Sequence, residues 1–428
     1  MTAQSSLAII IGNPPADADE TILGQLAHAA GHALETGGQT LEQLSRSASA
    51  SLGAAEQTLV ELSRAVSSSM QSLASTLSLS AIHLELTEST PAPQPPSGVG
   101  AEVACEEPLV APAVAADAGV SPSFHARAAF LFSGDHPRQS GVDEGAIEEK
   151  RIAIVSGEVR VRGGASLPNV RVRVHEQPQF GEVLTDCNGR FSIAVNGGGA
   201  MVLEYTKRGY LSVHRRVNVP WKEFVEAASV AMTTLDPSAT MVAFGQQELH
   251  VATGSHVEDE SGARQAVVMV PAGTTAAMRM SDGSTQPLIT MTARITEYTV
   301  GPDGPSAMPA TLPPESAYTY AFEVSADEAI AAGARSVEFS KPVPFYVDNF
   351  LRFSIGQTVP VGRYDTVKEA WIAENNGRVI AILAAVDGKA QIDISGHGAA
   401  ATEEELAVLG IGVDERSELV PHQPSVDG

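Results

Sequence analysis

Two histidines one helical turn apart, His28 and His32, followed by Glu35, have the spacing that comes nearest to a metal site in this sequence. On a helix His28 and His32 share a face, and His32-Ala-Leu-Glu35 is an HxxE string from which a zinc site can be drawn. A catalytic zinc also needs a third protein ligand and a general base. Neither accompanies these residues, so they read as histidines on a helix surface. A second constellation lies near the C-terminal end, where Asp393, Ser395, His397, Gly398 and Glu404 fall on positions 1, 3, 5, 6 and 12 of a calcium loop. Ser395 and His397 stand where Ca²⁺ would take two carboxylates, which makes this a weak candidate and the segment a degenerate loop. The glycines from Gly197 to Gly199 precede a strand pattern rather than a helix, so they are not expected to cradle phosphate. No GxSxG elbow, P-loop or dinucleotide fingerprint occurs. The expectation is a protein that is not an enzyme and has no cofactor.

The totals narrow the partners. Across 428 residues, 27 Lys and Arg stand against 51 Asp and Glu, a net charge of -24. Such a surface repels phosphate backbones and anionic lipid headgroups, so nucleic acid is a poor partner. No stretch is long and apolar enough for a membrane span. The first basic residue is Arg46 and the only early apolar run is Leu7 to Ile11, so no standard signal peptide is visible. Cys105 and Cys187 are the two cysteines; one falls in a linker-like stretch and one in a turn, and unpaired thiols are expected.

The elements that would position these residues are mainly β. Residues 1–16 read as a flexible lead, and Ile22 to Leu34 as a short helix after the Asn13-Pro14-Pro15 breaker. Apolar residues from Leu41 to Leu77 then recur at a mean step of 3.6 residues behind a Thr40/Gln43 capping box, which predicts an amphipathic helix. Helix 40–77 is poor in charge on its other faces and offers a surface for self-association. Seven prolines between Pro91 and Pro122 mark a linker. From Ile152 the period becomes two: Val159, Val161, Val170, Val172 and Val174 alternate with Arg160, Arg162, Arg171 and Arg173. With turn signals between the runs, this predicts a seven-stranded β-sandwich over 150–234. Further strands are expected at Ala266–Val270, Ala276–Met280, Leu288–Tyr298, Tyr318–Ser325, Ser336–Phe339 and Val343–Val347. Asp282-Gly283 reads as a hairpin turn, Gly301 to Pro314 as a long loop, and Asn375-Asn376-Gly377 as a second hairpin. A short helix is expected from Thr402 through Leu409, with a disordered tail after it.

The stretch from Val170 to Phe224 carries an ordered set of motifs: Phe180-Gly181, Thr185-Asp186-x-x-Gly189-x-Phe191, Asn196-Gly197-Gly198, Gly209-Tyr210 and Val219-Pro220-Trp221. It resembles the transthyretin-like, carboxypeptidase regulatory-like domain that precedes the shell of teneurins and of bacterial YD-repeat (RHS) proteins. Phe130-Leu131-Phe132-Ser133-Gly134 upstream, and Leu312-Pro313-Pro314 and Pro344-Phe345-Tyr346-Val347 downstream, extend the likeness over about 130–411. The resemblance implies a transthyretin-like sandwich followed by a fibronectin-like plug. The organisation expected is a helical region at 1–86, a Pro-rich linker at 87–129, the transthyretin-like sandwich at 130–234, the plug at 235–385, and the calcium-loop-like segment and tail at 386–428. Asn188-Gly189 supplies a tight turn, Phe191 and Tyr205 fill the sandwich, and Trp221 is expected to be packed at one end. Arg363-Tyr364-Asp365 is a lone triplet with no repeat around it, so a barrel is not visible in this sequence. The implied function is a non-catalytic structural and assembly module whose protein partner is a separately encoded YD-repeat shell. The alternatives are a carbohydrate- or cell-surface-binding sandwich and a relative of zinc carboxypeptidases. The likeness points to a secreted or cell-surface protein.

Overall fold

A computed structural model describes residues 4–12, 105–109, 122–300, 303–313 and 316–420. The histidine pair His28/His32, the helix expected at Ile22–Leu34, helix 40–77 and most of the Pro-rich linker lie outside the described residues. The first described strand is β1 (Gln4–Gly12), and a short helix α1 (Phe124–Ala128), capped by the Ser123 hydroxyl, opens the first sandwich.

That sandwich has two four-stranded sheets. One contains β2 (Ile152–Val161), flanked by β5 (Arg190–Asn196) and by β8 (Phe224–Glu226) and β9 (Val230–Met232), which both run parallel to β2. The other is antiparallel, in the order β4 (Glu182–Leu184), β3 (Arg171–Val174), β6 (Gly199–Thr206), β7 (Val213–Val219). The sandwich thus has eight strands rather than seven, because the stretch after Trp221 supplies two short parallel partners to the long β2. Alternation puts Val172, Val174, Leu203 and Tyr205 between the sheets with Ile152, Ile154 and Phe191. Phe191 and Tyr205 meet edge to face at 5.7 Å, in the filling role expected of them. Gln139, fully buried, ties the upstream segment to this core: its amide donates to the carbonyls of Phe180 and Ala194 and accepts from the Ala194 N–H.

Cys105 and Cys187 form a disulfide, with their Cα atoms 5.2 Å apart, so the expectation of free thiols is corrected. Neighbouring contacts hold the segment in place. The Cys187 N–H donates to the Glu106 carbonyl at 2.9 Å, and Arg138 pairs with Glu106 and donates to the Glu107 carbonyl. Residue 105 was unreadable as a partner because 82 positions separate it from Cys187.

The Asp186–Arg190 turn shows why glycine stands where it does. The Asp186 carboxylate accepts from the Asn188 and Arg190 N–H groups, and Gly189 closes the turn at φ +72°. A Cβ on Gly189 would run into the Val159 carbonyl. Gly189→Ala is therefore expected to destabilise the chain by about 2 kcal/mol or more, from left-handed strain plus the clash. Urea denaturation checks it, and an unchanged midpoint would contradict this account of the turn.

The second β unit begins with β10 (Thr240–Ala243), β11 (His250–Thr253), and the hairpin of β12 (Val257–Asp259) and β13 (Gly262–Arg264). It continues with β14 (Ala266–Val270), β15 (Ala276–Arg279), β16 (Thr285–Leu288), β17 (Thr290–Glu297), β18 (Ser316–Ala326), helix α2 (Asp327–Ala331), β19 (Ser336–Phe339) and β20 (Phe345–Val347). After these come β21 (Thr358–Val359), β22 (Val361–Asp365), β23 (Ala370–Ala373), β24 (Gly377–Arg378), β25 (Ala381–Val386) and β26 (Lys389–Asp393). A six-stranded sheet in the order β10-β17-β18-β1-β22-β23 faces two three-stranded sheets, β11-β14-β20 and β16-β15-β19. The lead at 1–16 is thus corrected in part: Gln4–Gly12 is a strand between β18 and β22. Its β-branched run suits that slot, but both partners lie more than 300 residues away in sequence.

Every residue of β14 is buried, which explains its unbroken apolar run. Val268 and Val270 face the second sandwich, while Val267 and Met269 pack on β26, on helix α3 (Glu403–Val408) and beside α4 (Val413–Glu418). The Asp282-Gly283 hairpin forms as expected. The turn expected at Asn375-Asn376-Gly377 does not: β22 pairs with β23 across residues 366–369, where the Asp365 carboxylate accepts the N–H groups of Val367 and Lys368. The helix expected from Thr402 through Leu409 forms as α3, and a Thr402/Glu405 capping box opens it. The tail expected to be disordered is helical at α4, anchored where the Tyr346 hydroxyl meets Glu415 at 2.9 Å; residues 421–428 lie outside the described residues.

Candidate functional site

The most elaborate polar site lies where the two β units meet. Strand β7 reads Val213-His-Arg-Arg-Val-Asn-Val219, so Arg215 takes a slot of the same parity as Val213, Val217 and Val219. It is buried. Its guanidinium donates to the carbonyls of His214 at 2.7 Å, Ser306 at 2.8 Å and Met308 at 3.0 Å. Burial draws this guanidinium down to about 10. The described part of the long loop expected at Gly301–Pro314 is thus a clamp. Its Pro309 carbonyl accepts the His214 N–H at 2.7 Å, and Asp303 meets Arg160 at 3.3 Å and the Gly163 N–H at 3.0 Å. Arg162 donates to the carbonyls of Glu297 and Tyr298. Alternation had placed Arg160 and Arg162 in solvent, but the second unit covers that end of β2. Leu211, Tyr298, Met308 and Ala321 form the apolar centre of the junction, flanked by Leu312 and Trp371.

Beside the clamp, the outward face of the β3-β6-β7 sheet carries Arg173, His175, Glu204 and His214. Register explains the grouping. Glu204 lies directly opposite both Arg173 and His214, and His175 follows two residues after Arg173 on the same face. Arg173 Nε is 2.7 Å from Glu204 Oε2, and His175 Nδ1 is 3.4 Å from the same oxygen. The His214 ring lies tilted against His175 with centroids 4.6 Å apart, and its Nδ1 is 3.1 Å from the hydroxyl of Tyr364 on β22. Burial would raise the Glu204 carboxyl, but the bonds from His175 and Arg173 prevail and hold it at about 2. Burial and the neighbouring His175 push His214 down to about 4, whereas the bond to Glu204 raises His175. The arrangement is therefore an ionised carboxylate between one neutral and one basic imidazole. The sequence reading missed it; the available signal was a charged residue at the apolar parity of β7 and a histidine continuing the Arg171-x-Arg173 alternation.

Residues 147–232 match the teneurin TTR-like domain. The match is to the first sandwich and not to the clamp loop or Tyr364. Teneurin-3 of Danio rerio is 27% identical over 110 residues, 26% of this chain, and Teneurin-m of Drosophila melanogaster is 32% identical over 114 residues, 27% of this chain. In each case the match spans 4% of the relative's own length. Among solved structures, a catechol 1,2-dioxygenase from Acinetobacter is 13% identical at a TM-score of 0.18, covering 22% of this chain and 56% of that one. A streptococcal ancillary pilin is 13% identical at a TM-score of 0.18, covering 33% of this chain and 47% of that one. Likenesses this slight carry no argument.

Within the TTR-like domain the expected motif residues are divided between its core and its turns. Phe180 is buried, and Gly181, at φ +64°, lets the backbone pass against Ser140. The Asn196 side chain accepts from the Glu148 N–H and donates to the Ala146 carbonyl. Gly197 lies against the Pro220 carbonyl, Gly198 lies under the Trp221 indole, and Tyr210 bridges to Thr234. Trp221 is the correction here: it is 57% exposed rather than packed, because the Gly198 ledge supports one face of the ring and leaves the other outside.

The calcium-loop residues are placed as follows. The Asp393 carboxylate accepts the N–H groups of Ser395, Gly396 and Gly398 and the Ser395 hydroxyl, while His397 and Glu404 are exposed. The Ser395 bond, with those from Gly398 and Gly396, holds this carboxyl at about 2. Its pKa lies below the ordinary ~3.9, so its contribution to stability is present above pH ~4 and is lost as pH falls towards 2. A carbon-detected NMR titration is expected to show Asp393 ionised at pH 3, and a midpoint near the ordinary value would contradict it. Among the described residues no helix is long and apolar enough to cross a membrane.

Proposed function

We propose that this chain is a non-catalytic assembly module in which the TTR-like domain and the second β unit act as one piece that caps a separately encoded YD-repeat shell. The observation that carries the reading is the Arg215 clamp, where a buried cation on β7 holds the Ser306 and Met308 carbonyls of the second unit. A joint of this kind transmits position and load, which is what a cap requires. The match of 147–232 to the teneurin TTR-like domain supports the reading, and the Cys105–Cys187 disulfide supports an oxidising compartment. Co-expression of the full chain with a YD-repeat shell lacking its own N-terminal region tests it. Co-elution is expected, whereas separate elution of two folded proteins would refute it.

One observation favours a second reading, a carbohydrate- or surface-binding module. Trp221 and Phe224, 57% and 75% exposed, lie near one end of the TTR-like domain, and sugar sites often present such rings. On this reading a glycan array detects binding that Trp221→Ala abolishes. Silence of the wild-type chain would remove it.

A further inference from the structure

We propose that His175, Glu204 and His214 form a binding site for a divalent transition metal of the zinc class, built on the outward face of the β3-β6-β7 sheet at the junction of the two units. One ligand atom from each of the three residues can be chosen so that all lie within 4.8 Å of one another. Two imidazoles and a carboxylate are a donor set that zinc takes readily.

The His175–Glu204 hydrogen bond is long and leaves room for a shared ion. Metal–ligand bonds of ~2.0–2.2 Å place neighbouring ligand atoms of a tetrahedral centre roughly 3.4 Å apart. His175 Nδ1 and Glu204 Oε2 stand 3.4 Å apart, long for a charge-assisted hydrogen bond and matched to such an edge. The remaining ligand atoms, within 4.8 Å of one another, need to close by up to roughly 1.4 Å, within the reach of side-chain rotation at a sheet surface.

The outer partners of a metal site are also in place. A ligating imidazole normally uses one nitrogen for the metal and gives its other N–H to an oxygen. His214 Nδ1 is engaged with the Tyr364 hydroxyl at 3.1 Å, which leaves Nε2 for the ion. His175 Nε2 is buried without a hydrogen-bond partner among the described residues, and Glu176 Oε1 lies 3.8 Å from it. With Nδ1 on the metal, Nε2–H is left as a donor, and a small shift of the Glu176 carboxylate, now beyond hydrogen-bond distance, would let it accept. Glu176 stands at φ +54°, an uncommon backbone conformation for a glutamate, and its carboxylate is also held by Arg335 of the second unit at 3.0 Å. Arg173 Nε sits 2.7 Å from the same Glu204 Oε2, so it neutralises the carboxylate while the ion is away and must share that oxygen or turn aside when the ion binds. Tyr364 and Arg335 both belong to the second unit, so the ion would stiffen the joint as well as the sheet.

The test uses the full chain stripped with a chelator and titrated with Co²⁺, read by visible absorption. The expected result is one Co²⁺ per chain with the intense bands of a tetrahedral site, displaced by Zn²⁺. His175→Gln and Glu204→Gln, each checked for folding by circular dichroism, should weaken binding by more than about 100-fold, and Tyr364→Phe by ~10-fold. A folded wild-type chain that takes up no stoichiometric Co²⁺ would overturn the proposal. So would binding that survives both ligand substitutions. Neither outcome depends on whether the chain caps a shell.

Discussion

Arg215→Ala is expected to lower the stability of the chain by about 3 kcal/mol and to split one thermal unfolding transition into two. The substitution removes the donors that satisfy the carbonyls of His214, Ser306 and Met308, and a buried acceptor left bare costs roughly 1–3 kcal/mol. Water entering the gap returns part of that cost. The loss falls on the clamp between the units, so the TTR-like domain and the second β unit should then melt separately. Arg215→Lys keeps the charge but replaces a planar fork with a single ammonium, and should recover only part of the loss. Differential scanning calorimetry checks both variants. A single transition at the wild-type temperature in Arg215→Ala would show that the clamp couples nothing.

Arg264→Ala should have a comparable effect for a different reason. Arg264 is 1% exposed and pairs at 2.7 Å with both Asp259 and Glu297, while its guanidinium lies 4.7 Å from the centre of the Phe350 ring. Its two carboxylates respond differently. The bonds from Arg264 hold Asp259 at about 2, whereas burial raises Glu297 even with the cation present. Removing one partner of a buried ion pair costs about 3–5 kcal/mol, and the lower end applies because Asp259 keeps a quarter of its side chain in water. The sign of the pH dependence then separates the causes. In Arg264→Ala, Glu297 titrates above its unfolded value, so its favourable contribution is full at low pH and is lost as pH rises through the folded pKa. The variant should therefore recover stability on mild acidification. A deficit that does not change with pH would mean that lost packing on Phe350, and not the stranded carboxylate, is responsible.

What the sequence made legible was whatever is fixed by neighbours along the chain. Ala266–Val270 and Ser336–Phe339 have the expected bounds because β-branched and apolar runs between turn signals leave little choice. Helix α3 was legible from Thr402 onward for the same reason, since its start is fixed locally, by a capping box between Thr402 and Glu405. What stayed hidden depends on chain that is remote in sequence. Arg160 and Arg162 alternate like solvent-facing residues and are half-buried because Asp303 returns to Arg160 and the end of β17 to Arg162. Cys105 finds its partner 82 residues away, and β1 inserts between strands at the far end of the second unit. Trp221 misled by type, since a tryptophan is usually packed and this one rests on a glycine ledge at the surface. The histidine–glutamate cluster was out of reach until the registers of β3, β6 and β7 were known, because its members come from two strands and the turn after a third, and none has a motif around it.

The assembly reading is tested most directly by immobilising the full chain, exposing it to lysate and culture medium of the source organism, and identifying what is retained by mass spectrometry. The account predicts that a YD-repeat protein is retained, and that Arg215→Ala reduces its recovery by separating the two units that together form the cap. If folded wild-type chain retains no YD-repeat protein, the cap reading is contradicted.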